Sequence, residues 1–121
     1  MSASDTPVFD PEQLPLSLES RDEDVLREFY ELFLVQLTEL IDSFGSAAPV
    51  LQTDAVRRSA HKLKSSSFAL GAVRLGEQLA VLEERCLDTS PAQIELLIVE
   101  VVNTALLTEM AVRDRLRDPG N

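Results

Sequence analysis

The chain has 121 residues, the length of one ordinary domain, and 45% of them are hydrophobic, which is enough for a core. Its net charge of -10 disfavours nucleic acid and anionic membranes as partners, and no apolar run approaches the roughly 18–20 residues of a membrane span. One cysteine and one histidine exclude an internal disulfide and a structural zinc site. The first residues lack the basic and apolar regions of a signal peptide, so we expect a cytoplasmic protein without a metal site.

Four segments carry apolar residues at helical spacings of three and four, and prolines and glycines separate them. The first, over 22–44, has an apolar stripe made of Leu26, Phe29, Tyr30, Phe33, Leu37, Leu40, Ile41 and Phe44. The others span 53–70, 73–87 and 92–117; Gly71 ends the second as a C-cap with positive φ, and Ser90 and Pro91 begin the last. Short connections make sequential helices antiparallel neighbours, so the sequence predicts an all-α, antiparallel, up-and-down four-helix bundle.

We expect three regions: an N-terminal arm or short helix over 1–20, the bundle over 21–117 and a tail over 118–121. The apolar residues of the arm, which we expect to cover one end of the bundle, are Phe9, Leu14, Leu16 and Leu18. The last helix has a second apolar row, made of Leu96, Val99, Val102 and Leu106. Two interpretations of this row stay open, cover by the arm or contact with a second copy, and we favour the arm and a monomer.

The only histidine, His61, is predicted to face solvent on the second helix, away from the stripe of Val56, Ala60, Leu63, Ser67 and Leu70. Residues 55–76 hold five basic side chains and no acid, and both lysines of the protein, Lys62 and Lys64, flank the histidine. These cations disfavour the imidazolium form and leave a neutral nucleophile. They would also attract a phosphoryl group placed on the ring. The alternative is an ordinary solvated helix face.

The longer string around this histidine, AHKLKSSSFALGAVRLGEQLAVLE over 60–83, resembles the histidine phosphotransfer (HPt) domains of multistep two-component phosphorelays. The upstream LREFYELFLVQLTEL resembles the preceding helix of that family, and the resemblance covers about residues 22–115. The positions that match the family pattern are Ala60, His61, Leu63, Lys64, Ser66, Ser67, Gly71, Ala72, Leu75, Leu82 and Glu83.

The resemblance implies a four-helix bundle and a role for single residues. His61 would accept a phosphoryl group from an aspartate on the receiver domain of a hybrid sensor kinase and pass it to the receiver domain of a response regulator. Lys64, one turn later, would stabilise the phosphoryl oxygens. The chain would need no cofactor, since Mg²⁺ would belong to the partner receiver. No nucleotide-binding loop is found in the sequence, so we do not expect an ATP-using kinase.

One position departs from the family, because Ser65 stands where the pattern has glycine. Its hydroxymethyl group lies one turn after His61, where it would crowd a docking receiver or hydrogen-bond to the ring or the phosphoryl group.

The residues predicted to dock the partner are Phe68, Arg57, Arg58 and Lys62. A rival interpretation is an adaptor bundle that binds a receiver or kinase domain without carrying phosphate. A purely structural bundle would leave the basic segment unexplained.

Overall fold

The computed structural model describes residues 8–9, 23–45 and 53–117, and these residues form four helices and no strand. The helices are α1 (Glu23–Gly45), α2 (Thr53–Ala69), α3 (Val73–Arg85) and α4 (Pro91–Arg117). Each packs on the next, and α4 packs back on α1, so that α2 and α4 lie at diagonal corners. The all-α four-helix bundle predicted from the sequence is confirmed.

The antiparallel arrangement of α1 and α4 follows from two hydrogen bonds between them. Arg27 Nη2 donates to the carbonyl oxygen of Leu116 at 3.0 Å, and Thr38 Oγ1 donates to Glu109 Oε2 at 3.3 Å. The residue numbers therefore rise along α1 as they fall along α4.

The core is built from the predicted stripes, with two differences. Most stripe residues are buried, and buried Ser67 donates its hydroxyl to the carbonyl oxygen of Leu63 at 2.8 Å. Phe29, however, is exposed, because α1 packs mainly on α4 and only lightly on α2, which leaves the side of α1 that carries Phe29 uncovered. Ile41 is only partly buried.

The turn between α2 and α3 fixes how these two helices meet. Gly71 has a φ of 89°, as the sequence predicted for a C-cap glycine. The N–H of Ala72 donates to the carbonyl of Ser67 at 2.8 Å and the N–H of Gly71 to that of Phe68 at 3.4 Å, the pair of bonds that defines a Schellman motif. The tight turn places α3 beside α2 over most of its length.

Phe9, the described residue of the arm that packs on the core, lies at the same end of the bundle as the Gly71 turn. Its ring meets the ring of Tyr30 edge to face, with the centroids 5.7 Å apart. The guanidinium of Arg115 lies 5.9 Å from the same Tyr30 ring, so this contact is at the end where α1 begins and α4 finishes. Leu14, Leu16, Leu18 and the tail lie outside the described residues. Among those residues, no helix has the length and apolar character to cross a bilayer.

Candidate functional site

His61 lies on the exposed face of α2, next to the exposed Lys62. Ala60 and Leu63, its neighbours along α2, are buried, whereas 66% of the His61 side chain is accessible. The prediction that His61 faces solvent is confirmed, and the imidazole is accessible to another macromolecule.

A carboxylate from α3 holds this ring in place. Glu83 Oε2 lies 2.6 Å from His61 Nδ1, and Glu83 Oε1 lies 2.7 Å from Lys64 Nζ. The hydrogen bond from Lys64 lowers the pKa of Glu83; burial opposes this effect, and the hydrogen bond from His61 adds to it. Glu83 is therefore an ionised carboxylate at neutral pH.

The charge of Glu83 decides which nitrogen of the ring is the nucleophile. An ionised carboxylate only accepts hydrogen bonds, so Nδ1 of His61 carries the proton that it donates to Glu83. In the neutral tautomer that this bond selects, Nε2 carries the free lone pair. Because 66% of the side chain is accessible while Nδ1 is held against α3, the reactive nitrogen is presented to solvent.

Lys64 is joined to His61 through Glu83. Both Lys64 and Glu83 are largely covered, with 28% and 20% of their side chains exposed, so the ion pair is partly shielded from water. The structure thus brings together the two residues that the sequence singled out and adds the carboxylate between them. Within the described residues no group of three or more histidine, cysteine, aspartate or glutamate side chains has the arrangement of a metal site.

The basic residues around His61 are partly neutralised. Asp54 lies 3.2 Å from Arg57 Nη2 and 3.4 Å from Arg58 Nε, and it stands one residue before the basic segment. Asp54 and Glu83 therefore offset part of the positive charge. Over the part of the chain that the structure describes, Lys62 has no ion-pair partner, and it lines a shallow groove of about 190 Å³ between α1 and α2.

The comparisons with known proteins bear on the same residues. The family model of the Hpt domain matches residues 28–116, which is most of the chain. The chain belongs to the Hpt domain family. No curated protein and no solved structure matches it. Members of this family carry phosphoryl groups on histidine in phosphorelays and interact with receiver domains, and they are carriers rather than ATP-using kinases.

Ser65 of this Hpt domain is exposed one turn after His61, as the sequence predicted. No hydrogen bond between the Ser65 hydroxyl and the imidazole is found among the residues that the structure describes. Its effect on receiver docking and transfer stays a prediction.

Phe68 lies flat on the backbone of α3. Its side chain is on the surface, with 41% of the residue exposed, and a Cβ atom added to Gly76 would come within 2.9 Å of three of its ring atoms. One face of the ring is thus packed against Gly76, while the remaining surface is open to a partner. The sequence placed Phe68 outside the core correctly; its role in docking stays a prediction.

Glu83 is the site residue that the sequence reasoning missed as a functional group. It closes the family string at 60–83, but it stands 22 residues after His61 and gave no local signal of contact. The exposed apolar pair Phe29 and Leu32 on α1 was missed as well, because Phe29 fits the core stripe by spacing alone.

Proposed function

We propose that this Hpt domain is a phosphorelay intermediate, which accepts a phosphoryl group on Nε2 of His61 from an aspartate of one receiver domain and donates it to an aspartate of another. The single observation that carries the proposal is the hydrogen bond of 2.6 Å between His61 Nδ1 and Glu83, since it leaves Nε2 as an oriented, solvent-facing nucleophile.

The transfer balances without a further reagent. The lone pair of Nε2 attacks the phosphorus atom of the aspartyl phosphate, a nitrogen–phosphorus bond forms, and the phosphorus–oxygen bond breaks. The aspartate leaves as a carboxylate with that electron pair. In the second transfer an aspartate oxygen attacks the phosphorus atom, and the imidazole recovers its lone pair.

Glu83 and Lys64 assist at different moments. During attack the ring becomes positively charged, and the ionised Glu83 stabilises that charge through the Nδ1 proton. Lys64 pairs with Glu83 in the free domain. When a phosphoryl group is bound to the ring, its oxygens lie one helical turn from Lys64. The Lys64 ammonium group then gains these oxygens as a second anionic partner beside Glu83. Any Mg²⁺ would be held by the receiver and would supply charge neutralisation there.

The receiver is proposed to dock over the exposed face of α2. Phe68 offers an apolar surface held rigid by Gly76, and Arg58 and Lys62 are exposed cations on the same helix. An acidic receiver pocket has the complementary charge. Arg57 belongs at the edge of this surface, because 37% of its side chain is exposed against 71% for Arg58, although both arginines pair with Asp54.

The test is incubation with a receiver domain that carries radiolabelled phosphate. We expect label on the wild-type chain that is labile in acid and stable in alkali, as phosphohistidine is, and none on His61→Gln. The folding control is the far-ultraviolet circular dichroism of His61→Gln, which we expect to match the wild type because the substitution is exposed. Binding of the receiver without any label would favour the adaptor interpretation.

A further inference from the structure

The outward face of α4 carries a row of large apolar side chains that the bundle leaves uncovered. These residues are between 44 and 62% exposed, and their spacing follows one face of the helix, opposite the buried Val101, Ala105 and Thr108. The row, called the α4 row below, consists of Leu96, Val99, Leu106, Leu107 and Met110. Single exposed apolar residues are ordinary, but a continuous row marks an interaction surface.

The α4 row is nearly symmetric about Asn103. Leu96 and Met110 each stand seven residues from Asn103, and Val99 and Leu107 each stand four. In two identical helices packed antiparallel about a two-fold axis at Asn103, Leu96 of one copy meets Met110 of the other. Val99 likewise meets Leu107, and Asn103 meets its own counterpart. An amide side chain both donates and accepts hydrogen bonds, so two copies of Asn103 satisfy each other.

The charges on the flank of the α4 row favour the same orientation. Glu95 and Arg113 are 18 residues apart, which is five full helical turns, so both lie on one flank. In an antiparallel pair this flank faces its own copy, and Glu95 comes within about two residues, or about 3 Å along the axis, of the second copy's Arg113. A parallel pair would place this flank of the two copies on opposite sides of the interface, so that Glu95 would not meet Arg113. Antiparallel helices also oppose their dipoles.

The described part of the arm lies far from the start of the α4 row. Phe9 packs on Tyr30, at the end of the bundle where α4 finishes. Leu96 stands 19 residues before Arg115, which contacts the Tyr30 ring, so Leu96 lies about 28 Å from this contact along α4.

We propose that the chain forms a reversible antiparallel homodimer through the α4 row, with the two-fold axis at Asn103. Five roughly half-exposed large side chains from each copy give an interface of about 1,000 Å² in total, the lower limit for a specific contact, so the dimer exchanges with monomer. Because α4 and α2 occupy diagonal corners of the bundle, the dimer leaves His61 accessible.

Sedimentation velocity of the full chain, from about 10 μM to about 1 mM, tests the dimer. We expect the sedimentation coefficient to rise with concentration for the wild type, and Leu96→Arg to raise the dissociation constant at least tenfold. The matched control is Val81→Arg on α3, where an apolar residue with 42% exposure lies outside the row and the substitution should leave the dimer intact. A wild type that is monomeric at every concentration overturns the proposal, as does a Leu96→Arg variant that dimerises normally.

Two further variants test the axis and the orientation. Asn103→Cys should yield a disulfide-linked dimer on mild oxidation, whereas the wild type, whose Cys86 is buried, should not. Glu95→Arg should weaken the dimer, and adding Arg113→Glu should restore it; absence of cross-linking or of restoration refutes this geometry. All these variants should still accept phosphoryl groups, so failure of the dimer and failure of the proposed function are separate results.

Discussion

Replacing Glu83 by glutamine removes the negative charge that orients the ring of His61 and stabilises the positive charge formed on that ring during transfer. Glutamine keeps the size of the side chain, but it no longer provides an anion 2.6 Å from Nδ1 and 2.7 Å from the Lys64 ammonium. Its amide can also present an N–H to the ring, which would favour the tautomer that places the proton on Nε2 and removes the nucleophilic lone pair.

The size of the effect follows from the type of bond that is lost. Hydrogen bonds to charged groups contribute about 1.5–3 kcal/mol, and the charge on the ring exists only after attack begins. If that contribution is lost from the transition state, transfer slows about 10- to 100-fold. The ground-state fold should change little, since glutamine keeps the size of the side chain and can still form a hydrogen bond with His61.

The assay is a single-turnover measurement with a phosphorylated receiver and excess Hpt domain, stopped in alkali. Glu84→Gln is the matched control, because Glu84 is the next residue on α3 and an exposed carboxylate. We expect Glu84→Gln to transfer at the wild-type rate. Equal rates for both variants would refute the role given to Glu83 and would leave its contact with His61 as a feature of the resting structure only.

Four further predictions concern the same site. Lys64→Ala should slow transfer by an amount corresponding to about 1–3 kcal/mol, and an unchanged single-turnover rate would remove Lys64 from the mechanism. Ser65→Gly should raise the transfer rate with at least one receiver and lower the melting temperature slightly, because glycine within a helix costs about 0.5–1 kcal/mol relative to alanine; slower transfer would mean that the hydroxyl assists the chemistry. Phe68→Ala should weaken receiver binding in calorimetry, and Gly76→Ala should weaken it too by displacing the ring; normal binding by both variants would exclude Phe68 from docking. Finally, the pKa of Glu83 is lowered by folding from its ordinary value of 4.5, so its ionised form stabilises the fold above that pH; the stability advantage of the wild type over Glu83→Gln in urea should shrink as the pH falls below 4.5, and an advantage independent of pH would contradict this.

The local periodicity of apolar residues was sufficient to predict the four-helix architecture. The spacing of apolar residues predicted all four helices, and the helical wheel of the second one predicted an exposed His61 with Lys64 one turn later. Gly71 was predicted as a C-cap because a helix that ends before a tight turn needs positive φ there. These features depend on residues within a few turns of each other, which is the range over which a sequence pattern carries direct information.

The string over 60–83 resembles the Hpt family, and this resemblance indicated a phosphohistidine site. It did not show how the parts of that site meet. In the sequence, residues 55–76 contain basic side chains and no acidic one. In the folded structure, however, Asp54 pairs with Arg57 and Arg58, and Glu83 of α3 pairs with Lys64.

Only the tertiary structure decided which distant groups act together. Glu83 contacts His61 because the chain reverses direction at Gly71 and α3 packs along α2. Two residues that are 22 positions apart in the sequence therefore meet, with Nδ1 of His61 2.6 Å from Oε2 of Glu83. Phe29 fits the core stripe by its spacing, but α2 packs only lightly on α1, so Phe29 remains exposed. The ring of Phe68 lies against Gly76 because glycine alone leaves room for it. Periodicity determines which face of a helix is apolar; the packing of the other helices determines how much of that face is covered and which side chains from other helices reach it.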